Sequence, residues 1–252
     1  MTDTDAGALL ERLFEAHGGL ERWLAVDSVE AVVSARGALF TTKGLTPLHG
    51  VRVRVWPGAR RVQLVDYPER GRLGDWRGDE EVRILRGPAI EKHRLNPRAA
   101  FFGPFRHWRW DDLDVVYFVG YALWNYLSGP FLLREPGCRV AQVDSAGKET
   151  RLHLRFDDTV PTHCARQTWY VDADQRIGRL DYTAEVVGSW ARVAQVCGDY
   201  RQVDGLWFAT RRRVWPRIGN LAVAPVALVA LDIGEIRPLW RDDADTDSGN
   251  QR

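Results

Sequence analysis

One methionine, three lysines and three cysteines are all that this 252-residue chain holds of those residue types. The lysines are Lys43, Lys92 and Lys148, so nearly every cation is an arginine, as a GC-rich coding bias produces. The cysteines, Cys138, Cys164 and Cys197, are widely spaced with no CxxC pair. That excludes the usual zinc and thioredoxin-like signatures, and the odd number points to reduced thiols. No GxGxxG, Walker A, GxSxG or HExxH string is present. Nucleotide-dependent chemistry, serine hydrolysis and zinc hydrolysis therefore have no positive support, and no cofactor is expected. The six histidines include no pair at metal-ligand spacing, so no metal site is expected either.

Net charge is scarce as well. Thirty-five basic residues face 34 acidic ones, for a formal charge of +1. No overall field draws the chain to nucleic acid or to an anionic membrane. Stacking of single strands on tryptophan and arginine would need a basic cluster that the sequence lacks. Long apolar runs are missing too. Val115 to Leu133 holds no charged residue, but Gly120, Asn125 and Ser128-Gly129-Pro130 interrupt it. Its helical part is nearer ~13 residues than the ~20 that span a bilayer, so no integral membrane span is expected. Met1-Thr-Asp-Thr-Asp-Ala-Gly is acidic, with no basic segment leading into an apolar one. That reads as a cytoplasmic protein without a secretory signal.

Aromatic residues are what the chain does have: 11 Trp, nine Phe and seven Tyr. Each buries a large area, and each indole N–H wants an acceptor. An apolar fraction of 45% is enough for a real core.

Residues 5–25 read as an amphipathic helix with Leu9, Leu10, Leu13, Phe14, Leu20, Trp23 and Leu24 mostly on one face, broken at Gly18-Gly19. Period-two and β-branched segments follow at 29–40, 51–56, 61–65, 81–85 and 90–95. In Val51-Arg-Val-Arg-Val-Trp56 the valines take one face and the arginines the other. Asp111-Asp112 reads as the N-cap of a central helix over about 112–127, which Pro130 ends. Further strands are expected at 138–143, 150–156, 165–171, 179–187, 192–200, 206–214 and 223–233, with turn signals every 8–12 residues. The fold class is thus mostly β with helices (α+β): one highly curved antiparallel sheet or half-barrel, with helices on its concave face. Residues 1–240 form one domain, and 241–252 a disordered tail.

Two segments carry candidate chemistry. On the central helix Tyr117, Tyr121 and Trp124 fall at i, i+4 and i+7, with Asn125 beside them. Such a stripe either packs in the core with its polar tips bonded to backbone, or lines a cavity in which Asn125 and the tyrosines orient a ligand. Trp108, Trp110, Phe131 and Trp169 are the aromatic residues expected to share that cavity. The other segment is Asp181-Tyr-Thr-Ala-Glu185, which places Asp181 and Glu185 on one strand face; Arg211 and Arg213 share a face two strands later. Either these charges form a solvent-facing ladder, or a carboxylate held by arginine acts as general acid or base inside the barrel. The second reading requires Asp181 and Glu185 to point inward. His107, among Phe105, Trp108 and Trp110, and His163, in Pro161-Thr-His-Cys, are candidates for burial with a shifted pKa. Asn125, Tyr121, His107 and Asp181 form the candidate catalytic set.

The order of elements resembles the LolA/LolB-like lipoprotein-carrier superfamily: a first helix running into His17-Gly-Gly-Leu-Glu-Arg-Trp23, a strand near Val29, and a mid-chain helix ending at Pro130-Phe131. That resemblance implies a half-barrel with an apolar cavity lidded by helices. The chain also resembles an uncharacterised bacterial group with YFxGYxxWNYLxxPF and TRRRVxPR motifs, read here at 117–131 and 210–217. The implied partner is an apolar small molecule, polyketide-like, isoprenoid or acyl. Three functions stay open: a cofactor-independent cyclase or isomerase working by preorganisation, a carrier without chemistry, and an interaction module without a cavity.

Overall fold

Fourteen strands form one continuous sheet in the computed structural model, which describes residues 3–103, 108–146, 149–219, 221–223 and 227–241. In chain order the elements are α1 (Asp3–Ala16), α2 (Leu20–Leu24), β1 (Val26–Arg36), α3 (Ala38–Thr42), β2 (Leu48–Trp56), β3 (Arg61–Val65), β4 (Arg72–Arg77), β5 (Glu81–Arg86) and β6 (Ala89–Leu95). After the 3-10 turn Pro97–Phe102 come α4 (Asp112–Ser128), a second 3-10 turn (Phe131–Arg134), β7 (Cys138–Ala146), β8 (Glu149–Phe156), β9 (Arg166–Val171) and β10 (Ile177–Thr183). β11 (Arg192–Val203), β12 (Leu206–Ile218), the short β13 (Leu221–Ala222) and β14 (Val229–Trp240) complete the order. Across the sheet the strands run 6-5-4-3-2-1-14-12-11-10-9-8-7, with β13 paired to β12 alone. The sheet is a curved, unclosed half-barrel with β6 and β7 as its free edges.

Only one connection joins the two edges, and it contains α4. The strands turn their aliphatic residues inward: Val29, Val33, Val53, Val55, Val62 and Leu64 are buried, whereas Arg52 and Arg54 face out. α4 lies along the concave side thus formed. It is buried on nearly all faces, as a helix apolar all round should be. Asp111 and Asp114 close a capping box at its start, and Arg94 of β6 bonds both carboxylates. At its far end Phe131 stacks on Trp23 and Phe14, so α1 and α2 close that end of the half-barrel.

Gly120 sets how deep α4 sits. A Cβ there would lie 2.5 Å from the Trp76 side chain, and a Cβ on Gly74 of β4 would lie 2.7 Å from Val116. The two glycines let helix and sheet meet closer than side chains would allow. Arg72-Leu-Gly-Asp-Trp-Arg77 is not among the strands expected from the sequence, yet it is β4. Its core-facing glycine and its Asp75, buried between Arg61 and Arg77 at 2.7 Å each, hide the alternation. The strand expected through Phe40 instead ends at Arg36. Gly37, at φ 136, turns the chain into α3, whose first amides bond the Ala227 and Leu228 carbonyls. The tail at 242–252 lies outside the described residues.

Helix propensity alone favours alanine over glycine by ~1 kcal/mol. Gly120→Ala is nonetheless expected to destabilise by about 1–3 kcal/mol, because overpacking against Trp76 outweighs that gain. Gly7→Ala, on α1 with nothing within 4 Å, is expected to stabilise by up to about 1 kcal/mol. Urea unfolding midpoints of the two variants check the opposite signs.

Candidate functional site

α4 covers β2 to β6 but not the other half of the inner face. Between its uncovered side and β1, β10, β11, β12 and β14 lies a cavity of about 420 Å³. That is within the ~300–1,000 Å³ of small-molecule sites. Phe118, Val119, Ala122, Leu123 and Tyr126 form its helical wall; Val33, Ala35, Val193, Val214 and Leu231 form its sheet wall. Leu39, Phe40 and Lys43 of the α3 segment, with Trp108 and Trp190, frame the end facing solvent. These two tryptophans are 80% and 75% exposed, whereas the walls behind them are buried.

A neutral polar chain forms one side of the cavity. His163 stands between two tyrosines: its Nδ1 is 3.1 Å from the Tyr121 hydroxyl and its Nε2 3.0 Å from that of Tyr126. Neutral imidazole donates from one nitrogen and accepts at the other, and two hydroxyls satisfy both. Tyr182 stacks on the imidazole at 4.0 Å and donates its hydroxyl proton to Gln195 at 2.9 Å. Burial first, then the charges of Arg98 and Arg212, hold the His163 pKa down at about 3. Burial pushes Tyr126 up to about 12, and Tyr182 rises for the same cause. Arg212, itself buried, covers the Tyr126 ring at 4.5 Å and donates to its carbonyl at 2.9 Å. At neutral pH the polar side of the cavity therefore carries hydroxyls and an imidazole, none of them charged. Lys43 is the cation on the wall. It is largely buried, lies 5.3 Å from the Trp110 ring, and its pKa is lowered by burial.

The structure distributes the expected site residues differently. Tyr117, Tyr121 and Trp124 share one helical face, but that face turns to the sheet, away from the cavity. Tyr117 donates to Asp79 at 2.6 Å and accepts from Arg98 at 3.3 Å; Trp124 donates to the Pro57 carbonyl at 2.9 Å. Asn125 donates to the carbonyls of Tyr121 (2.7 Å) and Pro161 (2.8 Å), so its amide is committed to backbone. Tyr121 meets the cavity only through His163. Trp169 is buried in the core with its indole on Gln167, and Phe131 packs on the N-terminal helices. Trp110 lies beneath Lys43, against Phe101 and Phe118. Of the described candidates, Trp108 is on the cavity wall, and so is His163, buried with its pKa shifted. His107 lies outside the described residues.

The inward carboxylate pair is also corrected. Tyr182 faces the cavity, so Asp181 beside it points to the outer face of the sheet. There Arg179 bonds it twice, at 2.6 and 2.9 Å, Tyr170 donates to it at 2.9 Å, and Arg217 lies 3.7 Å away. Glu185 follows the strand and pairs with Arg98 at 2.8 Å. Arg211 and Arg213 reach neither; they bond Asp199 and Asp232 along an outer groove. That groove is larger, at about 1020 Å³, but more open, and its Arg211 and Arg213 are engaged. The inner cavity, less open than the groove, is the better candidate for a binding site. Among the described residues no group of three or more His, Cys, Asp or Glu is placed to hold a metal, and no helix is long and apolar enough to cross a membrane.

His163 gives the cavity a pH signature. Its folded pKa lies below the unfolded value of 6.5, so the unfolded chain takes up the proton first as pH falls. Stability is then full above pH 6.5 and is lost as pH drops toward 3. His17, lowered by burial to about 4, behaves alike. Each is expected to remove about 2 kcal/mol between about pH 7.5 and about pH 5. His163→Gln should halve that combined loss. Urea titrations at the two pH values test this, and equal slopes in wild type and variant would contradict it.

No family model matches the chain, and no curated protein matches it. The motif-defined bacterial group thus gains no support from those comparisons. Solved structures do match. A LolA superfamily protein from Nitrosomonas europaea aligns over 92% of both chains at 12% identity, with a TM-score of 0.52. A DUF1329 family protein from Desulfovibrio piger aligns over 92% of both chains at 13% identity, with a TM-score of 0.48. At such identity the likeness is one of architecture: an open, curved antiparallel sheet around a central helix, which is a LolA-like fold.

Proposed function

We propose that the chain is a carrier that holds an apolar small molecule, of acyl or isoprenoid type, between α4 and the sheet. The cavity carries this reading: it opens to solvent at one end, is apolar on both walls and is of ligand size. The LolA-like fold supports it. Lys43, near the solvent-facing end, suits a ligand with a polar or anionic head and an apolar body.

Cyclisation or isomerisation in the same cavity is the weaker reading. A general acid or base works best with a pKa near the working pH. His163 sits near 3 and Tyr126 near 12, both fixed by hydrogen bonds, and Asp181 is on the outer face. These groups suit orientation of a bound molecule better than proton transfer to it.

N-phenyl-1-naphthylamine, a neutral apolar dye, is expected to bind with enhanced fluorescence and to be displaced by palmitate. Ala122→Phe projects a ring from α4 into the cavity. It should weaken dye binding at least about tenfold, the cost of ~1.4 kcal/mol, with the urea midpoint retained. Val33→Phe fills the same space from β1 and should do the same. Unchanged dye affinity in both folded variants would overturn the assignment.

A further inference from the structure

Antiparallel pairing gathers five strand ends around the mouth of the cavity. Arg36 pairs with Ala230, Val214 with Val229, Val193 with Pro216, and Thr183 with Arg192. From this rim large apolar side chains project into solvent: Trp108, Trp190, Ile218 and Leu221, each at least 73% exposed. Isolated exposed apolar residues are ordinary, but four around the opening of an apolar cavity are a patch with a purpose. The rim is also mainly of one sign. Residues 36–48, 108–110, 187–193, 214–219 and 221–223 contain Arg36, Lys43, Arg109, Arg192 and Arg217, and neither Asp nor Glu; of the carboxylates next to them, Glu185 is held by Arg98, Asp111 by Arg94, and Asp181 is buried 3.7 Å from Arg217. The whole chain is balanced at 35 basic to 34 acidic. Arg36, Arg109 and Arg192 are exposed.

We infer that this rim docks on the surface of an anionic lipid bilayer, so that the ligand passes between membrane and cavity without crossing water. The inference rests on the carrier reading and extends it to where the cargo is exchanged. Indole rings favour the headgroup level of a bilayer, where one end is apolar and the other wet. Arginines beside them meet the negative potential of acidic headgroups. The patch fits a second copy of this chain poorly, because a two-fold contact would set the same cations against each other.

The test is co-sedimentation of the full chain with vesicles of phosphatidylcholine alone and with one third phosphatidylglycerol. Binding to the anionic vesicles is expected to be about tenfold tighter and to weaken with salt. Ile218→Asp with Leu221→Asp, and separately Arg36→Glu with Arg192→Glu, should each lose about tenfold in vesicle affinity. None of these four side chains lines the cavity, so dye binding in solution should persist in all variants. Failure to bind either vesicle, or binding indifferent to both double variants, would overturn the docking surface. So would a dimer that the Ile218→Asp/Leu221→Asp variant disperses, because the rim would then be a self-association face. Loss of dye binding in the wild-type chain marks failure of the carrier reading instead.

Discussion

The contact between Gly120 and Trp76 decides the shape of the interior. α4 must cross from one free edge of the sheet to the other, and the glycine lets it settle on β4 rather than midway across the concave face. Seated there, it covers β2 to β6 and leaves β1, β14, β12 and β11 facing its other side across open space. The cavity is the remainder of that placement. A bulkier residue at 120 would lift the helix into the space the ligand needs. Fold stability and ligand capacity therefore hang on the same close approach.

The polar groups around the cavity follow from the same constraint. A buried hydroxyl or imidazole is tolerated only with partners, and the chain from Tyr121 through His163 and Tyr126, with Tyr182 on Gln195, supplies them. Burial keeps every member neutral, which suits a site that accepts an apolar body. The charged residues are mostly kept elsewhere: Asp181 and Asp75 sit among arginines on the outer face, and Arg94 clamps the start of α4. Lys43 breaks that separation. As one of three lysines in the chain, largely buried by the mouth, it stands out once the cavity is located.

Much of the fold is legible in the residues. Valine–arginine alternation marks β2, Asp111 and Pro130 bracket α4, and regular turns mark the second set of strands. β4 escaped because its inner positions are Gly74 and Trp76 and its outer Asp75 is buried. The site was harder to read. Periodicity places Tyr117, Tyr121 and Trp124 together, yet a helix apolar all round does not declare which side meets a void. The informative side was the one where Val119, Ala122 and Leu123 lie between Phe118 and Tyr126, because the small Ala122 at its middle leaves room. His163 belongs to a loop about forty positions from its tyrosines, and only the tertiary fold brings them together. Alternation gave Asp181 a face but not the direction of that face. It was settled by Tyr182 beside it turning inward.

Native mass spectrometry of the chain purified from its own host tests the central claim most directly. The account predicts a folded protein carrying a bound mass that organic extraction removes and that is identified as an apolar molecule. A bare chain mass in repeated gentle preparations, together with a crystal structure in which α4 packs flush against Val33, Val214 and Leu231, would contradict it.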